Sequence, residues 1–436
     1  MAGQEQGAGS ILEINLRTGP VAAVLVVMFA MSIMAVPMAQ AQTFTVLHNF
    51  VAGKDGATSF AGLTMDRGGR LYGTTNGGSF TEGSVFKIAE SGSGWILIPL
   101  YDFSGHSNGE SPDARVVFGP DGNLYGTTSA GGLSNCSGGG NQGCGVVFKL
   151  QPPATACVSF LCPWTETVLY RFLGLPNDGW LATSEVVFDT AGNLYGITQY
   201  GGTGNCSGLG CGVVYKLSPT GGGWTETVIY NFQAGNDGCF PSGGLLLDAA
   251  GNLYGTAYGG SGGKGMVYEL SPSSGGWKQT ILHSFQGSDG NGPEGPLITD
   301  QLGNLYGITA SGGSADDGTV FELAQPGKWT FELLYSFPSY STGAQPNGGL
   351  VLDRVGNLYG TTYGGGANRD GTAFRLTPSK GSWVETDLHD FSGLDGTPPN
   401  GGLVIDANGN LYGTAALGGS SPNCYTGCGT VWEITP

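Results

Sequence analysis

The sequence contains 436 residues, of which 83 are glycine and 11% are charged, and its formal net charge is −17. Glycine at this density without a Gly-X-Y period excludes collagen, and the 11% aromatic content argues against a disordered chain. The acidic balance disfavours nucleic acid and anionic lipid surfaces as partners, because both are bound through clustered Lys and Arg.

The first 41 residues have the pattern of a secretory signal peptide. An apolar run from Val21 to Val36 follows Arg17 and leads to Ala39-Gln40-Ala41, a small-x-small cleavage site. The alternative is an uncleaved membrane anchor, but the run is slightly short for a comfortable bilayer span. We therefore predict a signal peptide at 1–41 and one mature domain at 42–436, with no membrane insertion after the signal is removed.

A six-residue segment, Gly-Asn-Leu-Tyr-Gly-Thr at 122–127, recurs along the whole mature chain. The intervals between the tyrosines of successive copies are 53, 70, 59, 52, 53 and 53 residues. This period is too long for ankyrin, TPR or leucine-rich repeats and lies near the length of a propeller blade. The seven tyrosines, which we predict to pack between blades and not to form one binding site, are Tyr72, Tyr125, Tyr195, Tyr254, Tyr306, Tyr359 and Tyr412.

Each repeat reads as four short strands. A first strand such as 402–406 is followed by an Asp-x-x-Gly-Asn hairpin turn and a second strand Leu-Tyr-Gly-Thr. A Gly-rich loop leads to a third strand that is apolar on both faces, as in 145–150, and the more polar fourth strand suits an outer edge. Radially packed four-stranded sheets form an all-β propeller, and we expect the second-strand glycine to let neighbouring sheets approach near the axis.

The two ends of the mature chain complement each other. Residues 44–50 match a fourth strand with no first three before it, and residues 429–434 match a third strand with no fourth after it. We predict that the two segments pair and complete one blade, which gives a closed ring of seven blades of four antiparallel strands.

Eight of the nine cysteines fall into short-range pairs. In an exported protein such pairs are typical of disulfides that close small loops, and the irregular spacing without nearby histidine disfavours zinc. Cys239 is left without a partner. The predicted disulfides join Cys136 to Cys144, Cys157 to Cys162, Cys206 to Cys211 and Cys424 to Cys428.

Loops between second and third strands share one face of a propeller with the crossovers to the next blade. Both sets are long and Gly-rich here, so we predict that this loop face is the binding face. The crossovers repeat an Asp-Gly pair, which predicts either turn chemistry or carboxylates that capture Ca²⁺ or a polyhydroxylated ligand. Trp180 breaks the repeat and could stack on a sugar or a partner. The candidate ligand-binding residues are Trp180, Asp178, Asp237, Asp289 and Asp395.

Histidine gives little support for catalysis. His48, His283 and His389 occupy the fourth-strand position at which other repeats carry tyrosine, and His106 lies in a polar loop. A Ser-His-Asp or Cys-His site is therefore improbable, and we predict no catalytic residue, no metal and no cofactor. Loop carboxylates spaced for glycoside cleavage stay an open alternative.

The motif Leu-Tyr-Gly-Thr-Thr, a Gly-rich loop and Gly-Thr-Val-Phe-x-Leu resembles the GloVer tandem repeat of exported bacterial proteins called choice-of-anchor tandem repeat proteins. The resemblance covers essentially 44–436 and implies a secreted, surface-attached or periplasmic bacterial protein, with no catalytic residues to transfer. We predict a non-enzymatic propeller that binds an extracellular polysaccharide or protein on its loop face. The alternatives are a polysaccharide hydrolase or lyase that uses loop carboxylates, and a purely structural surface repeat.

Overall fold

The computed structural model describes residues 42–77, 82–92, 94–138, 142–153, 164–325 and 327–435. The predicted signal peptide lies outside these residues. Residues Thr43–Thr435 form one compact unit.

The described chain folds into strands that recur in the predicted order. The first strands are Thr64–Met65, Val117–Phe118, Val187–Phe188, Cys239–Leu247, Asn291–Thr299, Ala344–Leu352 and Val404–Ile405. The second strands are Leu71–Thr75, Leu124–Thr128, Leu194–Thr198, Leu253–Tyr258, Leu305–Ser311, Leu358–Gly364 and Leu411–Ala415. The third strands are Ser84–Ser91, Val146–Gln151, Val213–Thr220, Met266–Ser273, Thr319–Ala324, Thr372–Ser379 and Thr430–Thr435. The fourth strands are Gly94–Asp102, Thr165–Arg171, Gly223–Asn231, Gly276–Ser284, Thr330–Ser336, Ser382–Asp390 and Thr43–Asn49.

These strands form seven four-stranded antiparallel sheets, which confirms the predicted seven-bladed propeller. We number the blades 1 to 7 from the sheet that begins at Thr64. A two-stranded ribbon outside the blades pairs Gly179–Trp180 with Tyr200–Gly201. Across the described residues the helices are short 3₁₀ turns, at Gly53–Asp55, His106–Asn108, Gly235–Asp237 and Tyr340–Thr342. None of them has the length and apolar character needed to cross a bilayer.

Blade 7 is completed by the N-terminal strand, as the two chain ends predicted. Thr43–Asn49 pairs antiparallel with Thr430–Thr435, with Phe44 opposite Ile434 and Val46 opposite Trp432. The backbone N–H of Phe50 donates to the Gly429 carbonyl at 3.0 Å and continues the pairing past the strand end. The ring is therefore closed by contacts between segments from the two ends of the chain.

The repeated tyrosine lies between blades. Tyr72 of blade 1 packs against Trp164, which leads into the fourth strand of blade 2, with ring centroids 6.5 Å apart. Tyr412 of blade 7 packs in the same way against Trp95 of blade 1 at 5.9 Å, across the closure of the ring. One contact type thus recurs from blade to blade, which accounts for the repetition of both residues.

The tyrosine hydroxyl also holds the hairpin between the first and second strands. Tyr125 Oη donates to Asp121 Oδ2 at 2.8 Å, and Asn123 Nδ2 donates to the same carboxylate. Burial alone would raise the pKa of Asp121, but these bonds and Lys149 lower it to about 2. The turn aspartate therefore stays ionised and binds its own turn and the inter-blade tyrosine together.

Replacing Tyr125 with Phe should remove this bond and leave the ring in place. We expect the free energy of unfolding to fall by about 1.5 kcal/mol, the low end for a hydrogen bond to a charged group, because the Asp121 side chain is 40% exposed. Chemical denaturation at neutral pH measures the change. Tyr363→Phe is the control, because Tyr363 is 50% exposed; equal losses in the two variants would contradict the assigned role.

The close approach of blades at the axis involves glycines other than those expected. A Cβ on the second-strand Gly73 would lie 2.5 Å from the Phe86 ring, which belongs to the same blade. That glycine makes room for a cross-strand ring. The neighbouring sheets approach instead where first strands begin: a Cβ on Gly243 would lie 1.9 Å from the Gly295 carbonyl oxygen of the next blade.

Three of the four predicted cysteine pairs are disulfides in the structure, and each closes a loop on the loop face immediately before a third strand. The fourth predicted pair, Cys157 with Cys162, lies outside the described residues, so a disulfide between Cys157 and Cys162 stays a prediction. Cys239 has a free thiol, and burial raises its pKa. The three disulfides are Cys136–Cys144, Cys206–Cys211 and Cys424–Cys428.

Candidate functional site

Three of the predicted crossover aspartates are hydrogen-bonded within their own crossovers. Asp289 accepts from the backbone N–H of Gln286 at 2.7 Å and contacts His283 Nε2 at 2.9 Å. Asp395 accepts from the backbone N–H of Ser392 and contacts His389 Nε2. Asp237 accepts from the backbone N–H of Gln233 and from Tyr230 Oη. Each carboxylate thus links its crossover to the tyrosine or histidine of the preceding fourth strand.

Asp178 and Trp180 are held in a more elaborate loop. Asp178 is 4% exposed and accepts hydrogen bonds from Tyr170 Oη at 2.8 Å and the Leu173 N–H at 2.7 Å. Burial raises the pKa of Asp178, although these hydrogen bonds act to lower it. Trp180 is half-buried, stacks obliquely on Tyr200 with centroids 4.8 Å apart, and donates from Nε1 to the Leu209 carbonyl at 3.2 Å. A ligand-binding role for these five residues stays a prediction, since every one has intramolecular contacts that explain its position.

A different set of residues lines a cavity at the propeller axis, with a volume of about 240 Å³. The lining lies just before the first strands of blades 1, 2, 3 and 7 and within the first strands of blades 4, 5 and 6, so all seven blades contribute. We call this the central cavity, and its lining residues are Phe60, Ala61, Gly62, Asp113, Ala114, Arg115, Thr183, Ser184, Glu185, Gly243, Glu294, Gly295, Pro296, Asn347, Gly348, Asn400 and Gly402.

The repeats carry different side chains at the central cavity. The position three residues before the first buried Leu or Val of each first-strand segment is Phe60, Asp113, Thr183, Ser242, Glu294, Asn347 and Asn400 in successive blades. Two positions further on, most blades carry glycine or proline, but blades 2 and 3 carry Arg115 and Glu185. A scaffold of near-identical blades thus presents different side chains at one central point.

The charged groups of the cavity have defined partners. Arg115 Nη2 donates to Glu185 Oε1 at 2.7 Å, and both side chains are largely buried, with 28% and 15% exposed. Asp113 accepts from Ser129 Oγ at 2.7 Å and from Asn76 Nδ2, and burial raises its pKa against these bonds. On blade 5, Glu294 Oε1 accepts from Tyr258 Oη at 2.7 Å.

Uncharged lining residues add one aromatic surface and several acceptors. Phe60 is 42% exposed although it is aromatic. Asn347 Nδ2 donates to Asn400 Oδ1 at 2.8 Å, and Asn347 Oδ1 makes no hydrogen bond in the described structure. Within the described part of the chain, the buried Ser184 Oγ has no hydrogen-bond partner either.

Asn76 and Ser129 follow second strands and contact Asp113, which precedes a first strand, whereas Tyr258 ends a second strand and contacts Glu294 within a first strand. The ends of second strands therefore meet the first-strand segments at the central cavity. Across the residues that the structure describes, no three His, Cys, Asp or Glu side chains cluster as they would around a metal ion.

The comparisons with known proteins bear on the fold and the family. The model of the Gloeobacter/Verrucomicrobia repeat matches residues 134–351 and 299–436, which is more than half of the chain. The chain belongs to the Gloeobacter/Verrucomicrobia repeat family. No curated protein matches this repeat protein.

Solved structures show the same architecture. The Gloeobacter/Verrucomicrobia repeat protein is similar to a candidate 6-phosphogluconolactonase from Bacteroides uniformis, at 14% identity and a TM-score of 0.51, over 81% of this chain and 89% of that chain. It is also similar to an ulvan lyase of polysaccharide lyase family PL25, at 11% identity and a TM-score of 0.49, over 90% and 95% of the two chains. At 14% identity the first likeness shows the fold alone and nothing of the chemistry.

Proposed function

We propose that this protein is an exported, non-enzymatic propeller that binds a carbohydrate in the central cavity of its loop face. The observation that carries the proposal is the convergence of the repeat-breaking side chains on one cavity. Supporting side chains either repeat from blade to blade, as the tyrosines do, or vary in matched pairs between neighbouring blades. A site for a ligand without sevenfold symmetry needs different groups on different blades.

A carbohydrate suits the size and chemistry of the cavity better than a protein partner does. A volume of about 240 Å³ accommodates a small group and not a protein surface. Phe60 offers an apolar face on which a sugar ring can stack, while Asp113, Glu294 and Asn347 offer acceptors for hydroxyl groups. A protein ligand would have to engage the outer crossovers, such as the loop of Trp180.

Export is supported by three independent features. The structure contains disulfides, the family resembles exported repeat proteins, and the first 41 residues have a signal-peptide pattern. Comparing the N-terminal residue of the protein from culture medium with Gln42 tests the cleavage site.

The experiment that tests binding is a glycan-array screen of the mature protein, followed by calorimetry on the best ligand. Phe60→Ala should weaken that ligand about tenfold, since an aromatic contact contributes roughly 0.5–1.5 kcal/mol beyond its buried area. Tyr363→Ala, which removes an exposed ring outside the cavity lining, should leave affinity unchanged. No binding across the array, or equal losses in both variants, would contradict the proposal.

A second candidate is cleavage of a polysaccharide in the same cavity. Asp113 and Glu294 favour it, because both are carboxyl groups of the cavity lining and glycoside cleavage uses a pair of carboxyl groups. Product release from a polysaccharide panel, abolished by Asp113→Asn but not by Phe60→Ala, would support catalysis over binding alone.

A further inference from the structure

We propose that the central cavity selects amine-bearing sugars, such as glucosamine oligomers, over neutral and carboxylated ones. This inference rests on the proposed carbohydrate-binding function and defines its ligand class. The charges, the buried polar atoms without partners and the aromatic surface of the cavity carry it.

The charges of the lining favour a cation. Asp113, Glu185 and Glu294 are carboxylates, and Arg115 is the one basic residue among the lining residues described. Arg115 is already paired with Glu185 at 2.7 Å, so its charge is not available to an anionic ligand. A uronic acid or sulfated sugar would meet two further carboxylates, whereas an ammonium group would gain a charged partner.

The unsatisfied hydrogen-bonding groups point the same way. Ser184 lines the cavity, is 6% exposed and has an Oγ without a partner in the described structure. Asn347 Oδ1 is a second buried atom without a partner in the described structure, with Asn347 Nδ2 donating to Asn400 Oδ1. Buried polar atoms without partners are costly, so a ligand donor that reached either atom from the cavity would gain a hydrogen bond. An ammonium group has three donors and no acceptor.

The aromatic surface is compatible with the same ligand. Phe60 lines the cavity and exposes 42% of its surface, so it can contact the apolar face of a sugar ring. An aromatic face also attracts a nearby ammonium group through its quadrupole. A polar cavity with one aromatic wall and an excess of carboxylates thus suits a sugar that carries an amine.

The test is calorimetry of the mature protein with three tetrasaccharides: glucosamine, N-acetylglucosamine and galacturonic acid. We expect glucosamine to bind about tenfold more tightly than its N-acetylated counterpart and galacturonic acid to bind least, with the preference falling as salt is raised. Glu294→Gln keeps an acceptor for Tyr258 and should reduce the preference to less than about threefold. Glu332→Gln, an exposed change outside the cavity, should leave it unchanged.

The possible results distinguish a failure of the amine selectivity from a failure of the proposed carbohydrate binding. Equal affinity for glucosamine and N-acetylglucosamine would overturn the amine selectivity and leave carbohydrate binding standing. Tetralysine binding as tightly as glucosamine would overturn the assignment to an amino sugar. Binding of no saccharide by a protein whose thermal unfolding is cooperative would overturn both.

Discussion

A chain that starts at Gly53, without the strand Thr43–Asn49, should fail to form a stable closed ring. Loss of the N-terminal strand would leave the third strand Thr430–Thr435 as an unpaired edge and would uncover the buried Trp432 and Val431. It would also remove Phe50, which is fully buried and packs against Phe86 of blade 1 with centroids 5.3 Å apart. Removing that ring alone should cost about 3–5 kcal/mol. We expect the truncated chain to unfold without cooperativity or to aggregate through the open edge.

Denaturant unfolding compares the truncated protein with one that starts at Gln42. Adding a peptide of residues 42–52 should restore a cooperative transition, because the strand is held by non-covalent contacts alone. The same peptide carrying Phe50→Ala should restore it poorly. A truncated chain as stable as the full one would show that the ring does not depend on this strand.

The seven-bladed ring could be predicted because its determinants are local and repeated. The hairpin turns, the apolar inner strands and the two complementary ends are all visible as short patterns. The close packing of glycines at the axis is harder to predict from the sequence. The glycines at 243 and 295 touch because distant parts of the chain meet, and no local pattern distinguishes them from the second-strand glycine to which close approach was assigned.

The candidate site was harder to predict than the fold. The Asp-Gly pairs of the crossovers are conspicuous in the sequence and predict ligand-binding carboxylates. In the structure, carboxylates such as Asp289 are hydrogen-bonded within their own crossovers. The cavity residues can be recognised in the sequence only because the residue type at their position differs from repeat to repeat. An alignment of the repeats at the start of their first strands would have shown Phe60, Asp113 and Glu294 at equivalent positions. That these positions meet at the axis follows only from ring geometry.

Neighbouring blades also match each other at the outer rim. The residue two positions after the tryptophan of each fourth-strand segment, or Phe44 at the equivalent position of blade 7, faces the tyrosine or histidine of the preceding blade. Tyr101 donates to Glu166 at 3.1 Å, and His283 stacks on Phe331 at 3.9 Å. Where the preceding blade has tyrosine, the facing residue is polar, and where it has histidine, the facing residue is apolar. The pairs in blade order are Tyr101/Glu166, Tyr170/Glu226, Tyr230/Gln279, His283/Phe331, Tyr335/Glu385, His389/Phe44 and His48/Leu97.

Glu226→Gln should therefore stabilise the protein at alkaline pH. Burial, together with the charge of Asp178, raises the pKa of Glu226 to about 7, and Oε1 has no partner in the described structure. Because the folded pKa lies above the unfolded one, Glu226 favours folding most below about pH 4.3 and loses that contribution as the pH rises through 7. Blade 4 carries glutamine at this position opposite Tyr230, so the substitution fits the scaffold.

We expect the variant to gain about 1–2 kcal/mol over the natural protein at pH 8, after allowance for solvent screening of this partly exposed group, and much less at pH 5. Glu385→Gln should behave alike, since burial, together with the charges of Asp387 and Asp390, raises the pKa of Glu385 to about 7. Glu332→Gln, on the exposed face of a fourth strand, serves as the control for loss of an exposed carboxylate. Urea unfolding from pH 5 to pH 8 measures all three, and a gain for Glu226→Gln that is equal at both ends would refute the titration of this buried carboxylate.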